Sequence, residues 1–264
     1  MHRRKFVAAT LATSAMALGR EAPAQSPGKP GREFYELRRY QLQMGSQTQL
    51  VETYFGDALI PALTRMGFGP VGAFRLEYGP ETPAYYILLP ASSLESLATV
   101  QMHLAQDSAF LKLADPFWNA PATAPAFARI ESSLLSAFEG WPHLTPPASS
   151  ATKAKRLFQL RTYESPSDQA HIRKVEMFHN GEFELFQNAG LHPVFFGDML
   201  IGSRMPNLTY MLSSPGMPEL EASWAAFGSD PAWKKLSASP RYNYEAIVSN
   251  ISNLILQPLA ASQI

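Results

Sequence analysis

The word "ELRRY" occupies 36–40, and "QLRTY" occupies 159–163. Sliding the chain by that spacing and comparing 37–113 with 160–236 gives fifteen identities in 77 positions, without a gap. Chance would give roughly 5 from average residue usage. The matches include Gly67/Gly190, Pro70/Pro193 and Asp107/Asp230. A glycine closing a helix, a proline opening a strand and an aspartate opening a helix are positions where backbone geometry restricts the choice of residue. The chain therefore reads as a duplication.

Each unit predicts the same elements. "EFYELRRYQLQ" (33–43) alternates and is rich in aromatics, as a strand does. Apolar residues at helical spacing follow over 47–67, and over 167–190 in the second unit, each run ending at a glycine. Strands are expected at 70–79 and 84–90, then at 193–202 and 207–215. Helices follow at 94–105 and 217–227, then a short helix capped by Asp107 or Asp230, and a last strand near 126–137 or 246–256. The order β-α-β-β-α-β is the ferredoxin-like arrangement. Two such units, 33–137 and 156–264, are joined by a Pro-, Ser- and Ala-rich linker at 138–155. Each offers the other an open sheet, so the expected architecture is α+β: tandem ferredoxin-like units curled into one barrel with helices outside. In a period-2 strand, Arg38 and Tyr40 share one face and Leu37 and Arg39 the other.

Composition narrows the function classes. Lys plus Arg equals Asp plus Glu, which excludes a general nucleic-acid binder. The absence of cysteine excludes disulfides, thiolate catalysis and Cys-ligated metal sites. Arg3-Arg4-Lys5, a weakly apolar run from Phe6 to Leu18 and Ala22-Pro23-Ala24 together predict an export signal over residues 1–24. Arg3-Arg4-Lys5-Phe6 resembles a twin-arginine signal, with His2 where Ser or Thr is usual. A periplasmic or secreted mature chain beginning at Gln25, with no membrane span, is the expectation.

Both units resemble the NIPSNAP family. In the second, "VEMFHNGEFELFQNAGLHPVFFGDMLIG" (175–202), "MPNLTYML" (205–212), "FGSDPAWKKL" (227–236) and "IVSNISNLILQP" (247–258) carry the likeness to its exported bacterial members. The first keeps "YELRRY" and "LIPALTRMG" but departs at "PAYYILLP", where the family often has a Trp. The resemblance implies the dimeric α+β barrel superfamily, whose members include cofactor-free monooxygenases, haem proteins and proteins without known chemistry. It implies fold more firmly than function.

Seven residues are candidates for ligand binding. His179 and Glu182 stand i, i+3 on a helix among Phe178, Phe183 and Phe186. They read as a proton-shuttling pair facing the barrel interior, or as a surface ion pair beside a core stripe. Arg38 and Arg161, each on a strand between apolar neighbours, read as an ion pair across the seam or as an anion clamp inside the barrel. Tyr40 and Tyr163 supply hydroxyls beside them, or core rings. Asn207 sits at a strand mouth, where a turn residue satisfying its own backbone is the plainer reading. Trp224, Phe227 and Trp233 are expected to pack helices on the sheet. No P-loop, dinucleotide fingerprint, nucleophile elbow or metal-spaced histidines occur. No cofactor is predicted, though haem or another small ligand stays open. The expected partner is a small apolar molecule, a protein or a second copy of the chain. The other reading is a cofactor-independent oxygenase or isomerase.

Overall fold

The computed structural model describes residues 31–264; the export signal expected over 1–24 lies outside them. The first half runs through strand β1 (Phe34–Gln41), helix α1 (Ser46–Thr53), a π-helical stretch Tyr54–Leu59, and α2 (Ile60–Arg65). It continues with β2 (Gly72–Tyr78), β3 (Ala84–Ala91), α3 (Leu94–Leu104), α4 (Ser108–Trp118) and β4 (Arg129–Ala137). After a short helix α5 (Ser149–Thr152), the second half repeats the order. It has β5 (Leu157–Glu164), α6 (Asp168–Met177), a π-helical stretch Phe178–Glu182, α7 (Phe183–Asn188), β6 (His192–Ile201) and β7 (Asn207–Ser214). Then come α8 (Met217–Ser229), α9 (Pro231–Ser237), α10 (Tyr244–Ile247) and β8 (Asn250–Pro258).

The duplicated punctuation behaves as its chemistry requires. Asp107 accepts from the Phe110 N–H at 3.0 Å, and Asp230 from the Ala232 N–H at 2.7 Å. Each thus satisfies an otherwise free donor at a helix start. Gly67 and Gly190 take φ of +84° and +76° just past α2 and α7, the left-handed turn that ends a helix.

All strand pairs are antiparallel. Within the halves the orders are β4-β1-β3-β2 and β8-β5-β7-β6. The four edges then meet in two seams, β2 with β8 and β4 with β6, closing an eight-stranded barrel. Closure gives every described strand a neighbour on both sides. Both seams are short and each contains a register shift.

Strand alternation sorts the side chains. Tyr35 and Leu37 of β1 face the barrel interior, with Phe74, Leu135, Phe158, Leu160 and Phe195. Phe74 packs edge-on against Phe158 at 4.9 Å, and Tyr35 against Phe195 at 5.1 Å. An eight-stranded barrel has room for side chains and little more. The helices lie outside, over two further apolar clusters, one for each half. Tyr40 belongs to the first and Tyr163 to the second. The stretch 138–155 is bound to both halves rather than loose: Pro142 O accepts from Glu33 N at 2.9 Å, and Val194 O from Thr145 N at 2.8 Å. Leu144 seals against the barrel core.

The β4–β6 seam is closely packed. A Cβ on Gly197 would lie 2.9 Å from the Leu135 Cβ, an atom fixed to its backbone. Gly197→Ala is expected to cost about 1–3 kcal/mol by overpacking. Because the halves share one barrel, unfolding should stay a single transition, with tryptophan fluorescence and circular dichroism coinciding in urea. Native stability, or separate transitions, would contradict this account of the seam.

Candidate functional site

The outer face of β1 and β4, under α3 and α4, floors a cleft of about 470 Å³. Glu36, Arg38 and Tyr40 stand i, i+2 and i+4 on that face. Arg38 donates from Nε and Nη2 to the two Glu36 carboxylate oxygens, each at 2.9 Å, and from Nη1 to the Tyr40 hydroxyl at 3.3 Å. The Ser132 hydroxyl donates to the same carboxylate at 2.6 Å. A bidentate pair of this kind is geometrically fixed. Burial works against the Arg38 charge, but Tyr40 and Glu36 outweigh it and hold the guanidinium above its ordinary value. The walls are aromatic: Tyr54 stacks on Phe117 at 3.9 Å and accepts a hydrogen bond from Trp118 Nε1 at 3.1 Å, with Phe127 and Ile130 beside them. Gln101 of α3 stands at the edge. Among the described residues, the charged groups lining the cleft are Glu36 and Arg38, which cancel.

The same place in the second half is built differently. Gln159 replaces Glu36, and Asn253 stands across from Arg161 where Ser132 stands across from Arg38. Gln159 donates to Asn253 Oδ1 at 2.9 Å, and Arg161 reaches the same oxygen at 3.4 Å. Trp224, the repeat counterpart of Gln101, lies 4.3 Å from the Arg161 guanidinium and donates to Gln159 Oε1 at 2.7 Å. Its indole fills the space that is open over Arg38. Tyr163 is buried and its hydroxyl pairs with that of Tyr210 at 2.7 Å.

Several expected arrangements differ in the fold. Arg38 and Arg161 lie on the sheet's outer face, under the helices, so neither is a clamp inside the barrel. Arg38 pairs within its own strand rather than across the seam. His179 and Glu182 do not meet. Between them Asn180 (φ −99°, ψ 26°) and Gly181 (φ 135°, ψ −21°) leave helical geometry, which resets the helix phase. His179 stays exposed, donating from Nδ1 to Val175 O at 2.8 Å and accepting at Nε2 from Gly140 N–H at 3.0 Å. Glu182 turns inward to Lys174, a partner the sequence reading missed. The Asn180-Gly181 dipeptide inside a helical pattern was the available signal. Asn207 donates to the Ser203 and Arg204 carbonyls at 2.9 and 3.0 Å, as a turn residue does. Trp224, Phe227 and Trp233 pack with Phe186 and Tyr244 over the second sheet.

The Lys174–Glu182 pair is 0% and 1% exposed. Phe178, Tyr244 and Tyr163 rings surround the ammonium at 4.3, 5.1 and 5.3 Å. Burial lowers the lysine pKa and raises the glutamate pKa, and their mutual attraction opposes both shifts. The repeat counterparts in the first half are Val51 and Leu59, both buried.

Among the described residues, no group of three His, Cys, Asp or Glu could hold a metal ion. The cleft does not fit haem either. Its lining has no His, Cys or Met, and burial raises the Tyr40 and Tyr54 phenols away from the phenolate an iron would need. Among the described residues, no helix is long and apolar enough to cross a membrane.

The NIPSNAP family model matches residues 35–137 and 158–263. The chain belongs to the NIPSNAP family. Its two NIPSNAP repeats are the two halves of the barrel. No curated protein matches it. Among solved structures, a candidate monooxygenase from Lactobacillus acidophilus NCFM is 9% identical, with TM-score 0.57, over 88% of this chain and 97% of that one. One from Fusobacterium nucleatum is 9% identical, with TM-score 0.54, over 87% and 93%. An anthrone oxidase-like protein is 12% identical, with TM-score 0.50, over 86% and 91%. At such identities the likeness speaks for the dimeric α+β barrel alone.

The two NIPSNAP repeats make the buried pair testable. Lys174→Met strands the Glu182 carboxyl and is expected to cost about 3–5 kcal/mol. Lys174→Met with Glu182→Leu, which copies the apolar first repeat, should recover most of that loss. Urea denaturation of the single and double variants measures both. A double variant no more stable than Lys174→Met would mean the pair is not coupled.

Proposed function

We propose that this protein binds a small, neutral, largely apolar planar molecule in the first-half cleft, with a hydrogen-bond acceptor of the ligand turned to Arg38. The observation that carries this reading is the asymmetry at one repeat position. Gln101 leaves the aromatic cleft open, whereas Trp224 fills its counterpart. Aromatic walls reward a flat apolar body. The internally neutralised floor disfavours a charged one, which would lose its hydration without gaining a counter-charge.

A cofactor-independent oxygenase or isomerase acting in the same cleft is the second reading. The barrel is shared with proteins described as monooxygenase and anthrone oxidase-like. Against it, Glu36 is held by Arg38 and Ser132 and leaves the cleft without a free carboxylate base. Oxygen consumption in the presence of anthrone would favour catalysis over binding alone.

The binding reading is checked with 2-naphthol as probe, by calorimetric titration. Gln101→Trp should weaken binding about tenfold or more, a loss of roughly 1.4 kcal/mol. The melting temperature should hold, because position 101 is exposed. Equal affinity in the variant would remove the cleft from consideration.

We also propose that the chain is exported by an N-terminal signal cleaved after Ala24, with Arg3 and Arg4 as a twin-arginine pair. The motif and the small-residue cleavage pattern support this. Replacing Arg3-Arg4 by Lys-Lys should leave uncleaved precursor in the cytoplasm, visible on an immunoblot of fractionated cells. Undiminished export would place the signal in the ordinary secretory class.

A further inference from the structure

After its last strand each half sends a segment across the other half, and the two crossings differ. Over the first half runs the C-terminal segment: Leu259 and Gln263 donate from their backbone N–H groups to the Ala73 and Val71 carbonyls, each at 2.9 Å. Over the second half runs the segment after β4: Phe138 and Thr145 donate likewise to the Phe196 and Val194 carbonyls, at 3.1 and 2.8 Å. Phe196 and Val194 are the repeat counterparts of Ala73 and Val71, so Gln263 and Thr145 hold equivalent places. Their side chains act differently. The Gln263 amide lies against Gly69, accepts from the Val71 N–H at 2.7 Å and donates to Thr64 Oγ1 at 3.0 Å. Thr145 is too short to span that distance, and its hydroxyl donates to the His143 carbonyl at 3.4 Å. A groove of about 480 Å³ stays open beside it.

The repeat counterparts of Thr64 and Gly69 are Gln187 and His192, and both line this groove, together with Lys155. All three are exposed. Among the described residues none of these three side chains has a hydrogen-bond or ion-pair partner, and no Asp or Glu lines the groove. The rest of the lining is largely apolar, with Trp141, Pro147, Leu191, Pro193 and Pro215. An uncompensated ammonium beside an apolar wall attracts an anion more strongly than one surrounded by water. The charge of this groove thus differs from that of the Arg38 cleft, where Glu36 cancels the arginine.

We propose that the groove is a second binding site, for a small carboxylate with an apolar body. The carboxylate takes the place that the Gln263 amide holds in the other half, since the two groups share a planar shape and a size. Its oxygens accept from the Lys155 ammonium, an imidazole N–H of His192 and the Gln187 amide, while its body rests on Trp141 and the prolines. The first half fills this position from its own chain, and the second leaves it to a ligand. The proposal is independent of the aromatic cleft, which lies in the first half and takes a neutral molecule.

The test titrates the full chain with phenylacetate by calorimetry at low ionic strength, with phenylacetamide as a control of similar shape and no charge. Phenylacetate should bind saturably, and phenylacetamide at least about tenfold more weakly. Lys155→Met should weaken phenylacetate about tenfold by removing a charged donor. Thr145→Gln copies the first half into the second and should fill the groove, abolishing binding. Positions 145 and 155 are exposed, so both variants should keep the native melting temperature and the native affinity for 2-naphthol. No saturable binding of phenylacetate would overturn the proposal, as would unchanged affinity in Lys155→Met. Equal binding of phenylacetamide would overturn the assignment to an anion. Full affinity in Thr145→Gln would overturn the placing of the ligand in this groove.

Discussion

Everything in this molecule depends on the unsatisfied edges of two four-stranded sheets. A lone ferredoxin-like sheet with helices on one face leaves two rows of backbone donors and acceptors open and one apolar face wet. Here β2 meets β8 and β4 meets β6, so each half supplies what the other lacks. Closure makes the inner faces a packed core and pushes the helices outside. Polar side chains of the strands then collect in two places: under the helices on the outer face, and at the open mouth of the barrel.

The duplication made the fold readable. Identities at glycines, prolines and capping aspartates mark points where backbone geometry leaves few choices, and those points bracketed the strands and helices to within a few residues. The faces were readable too, since Arg38 and Tyr40 were bound to share a side of β1. Which side that is was not readable, because a strand with apolar residues on both faces gives no sign of which one turns inward. Only the packing of Leu37 against Leu160 and its neighbours places Arg38 outside.

The site was legible in pieces. Arg38 and Tyr40 do line a cleft, but their carboxylate partner Glu36 went unremarked, although it opens the word that defines the repeat and becomes Gln159 in the second copy. Helical spacing between His179 and Glu182 failed for a local reason. Gly181 adopts a positive φ, and the π-helical turn around it swings one side chain inward and leaves the other outside. Lys174 was hidden because a lysine on an amphipathic helix is ordinarily a solvated residue. Its burial follows from aromatic rings contributed by β5, the π-helical stretch after α6, and α10.

Fusing two copies into one chain also changes what evolution can do with them. In a homodimer every substitution appears twice, so a tryptophan that blocks one cleft blocks both. A single polypeptide is released from that arithmetic. Gln101 and Trp224 occupy equivalent places, yet each answers to its own selection, and so do Glu36 and Gln159. One lobe can be kept as a rigid, filled scaffold while the other remains free to drift in specificity. On the proposed reading the aromatic cleft takes one ligand per chain, where two like clefts would take two.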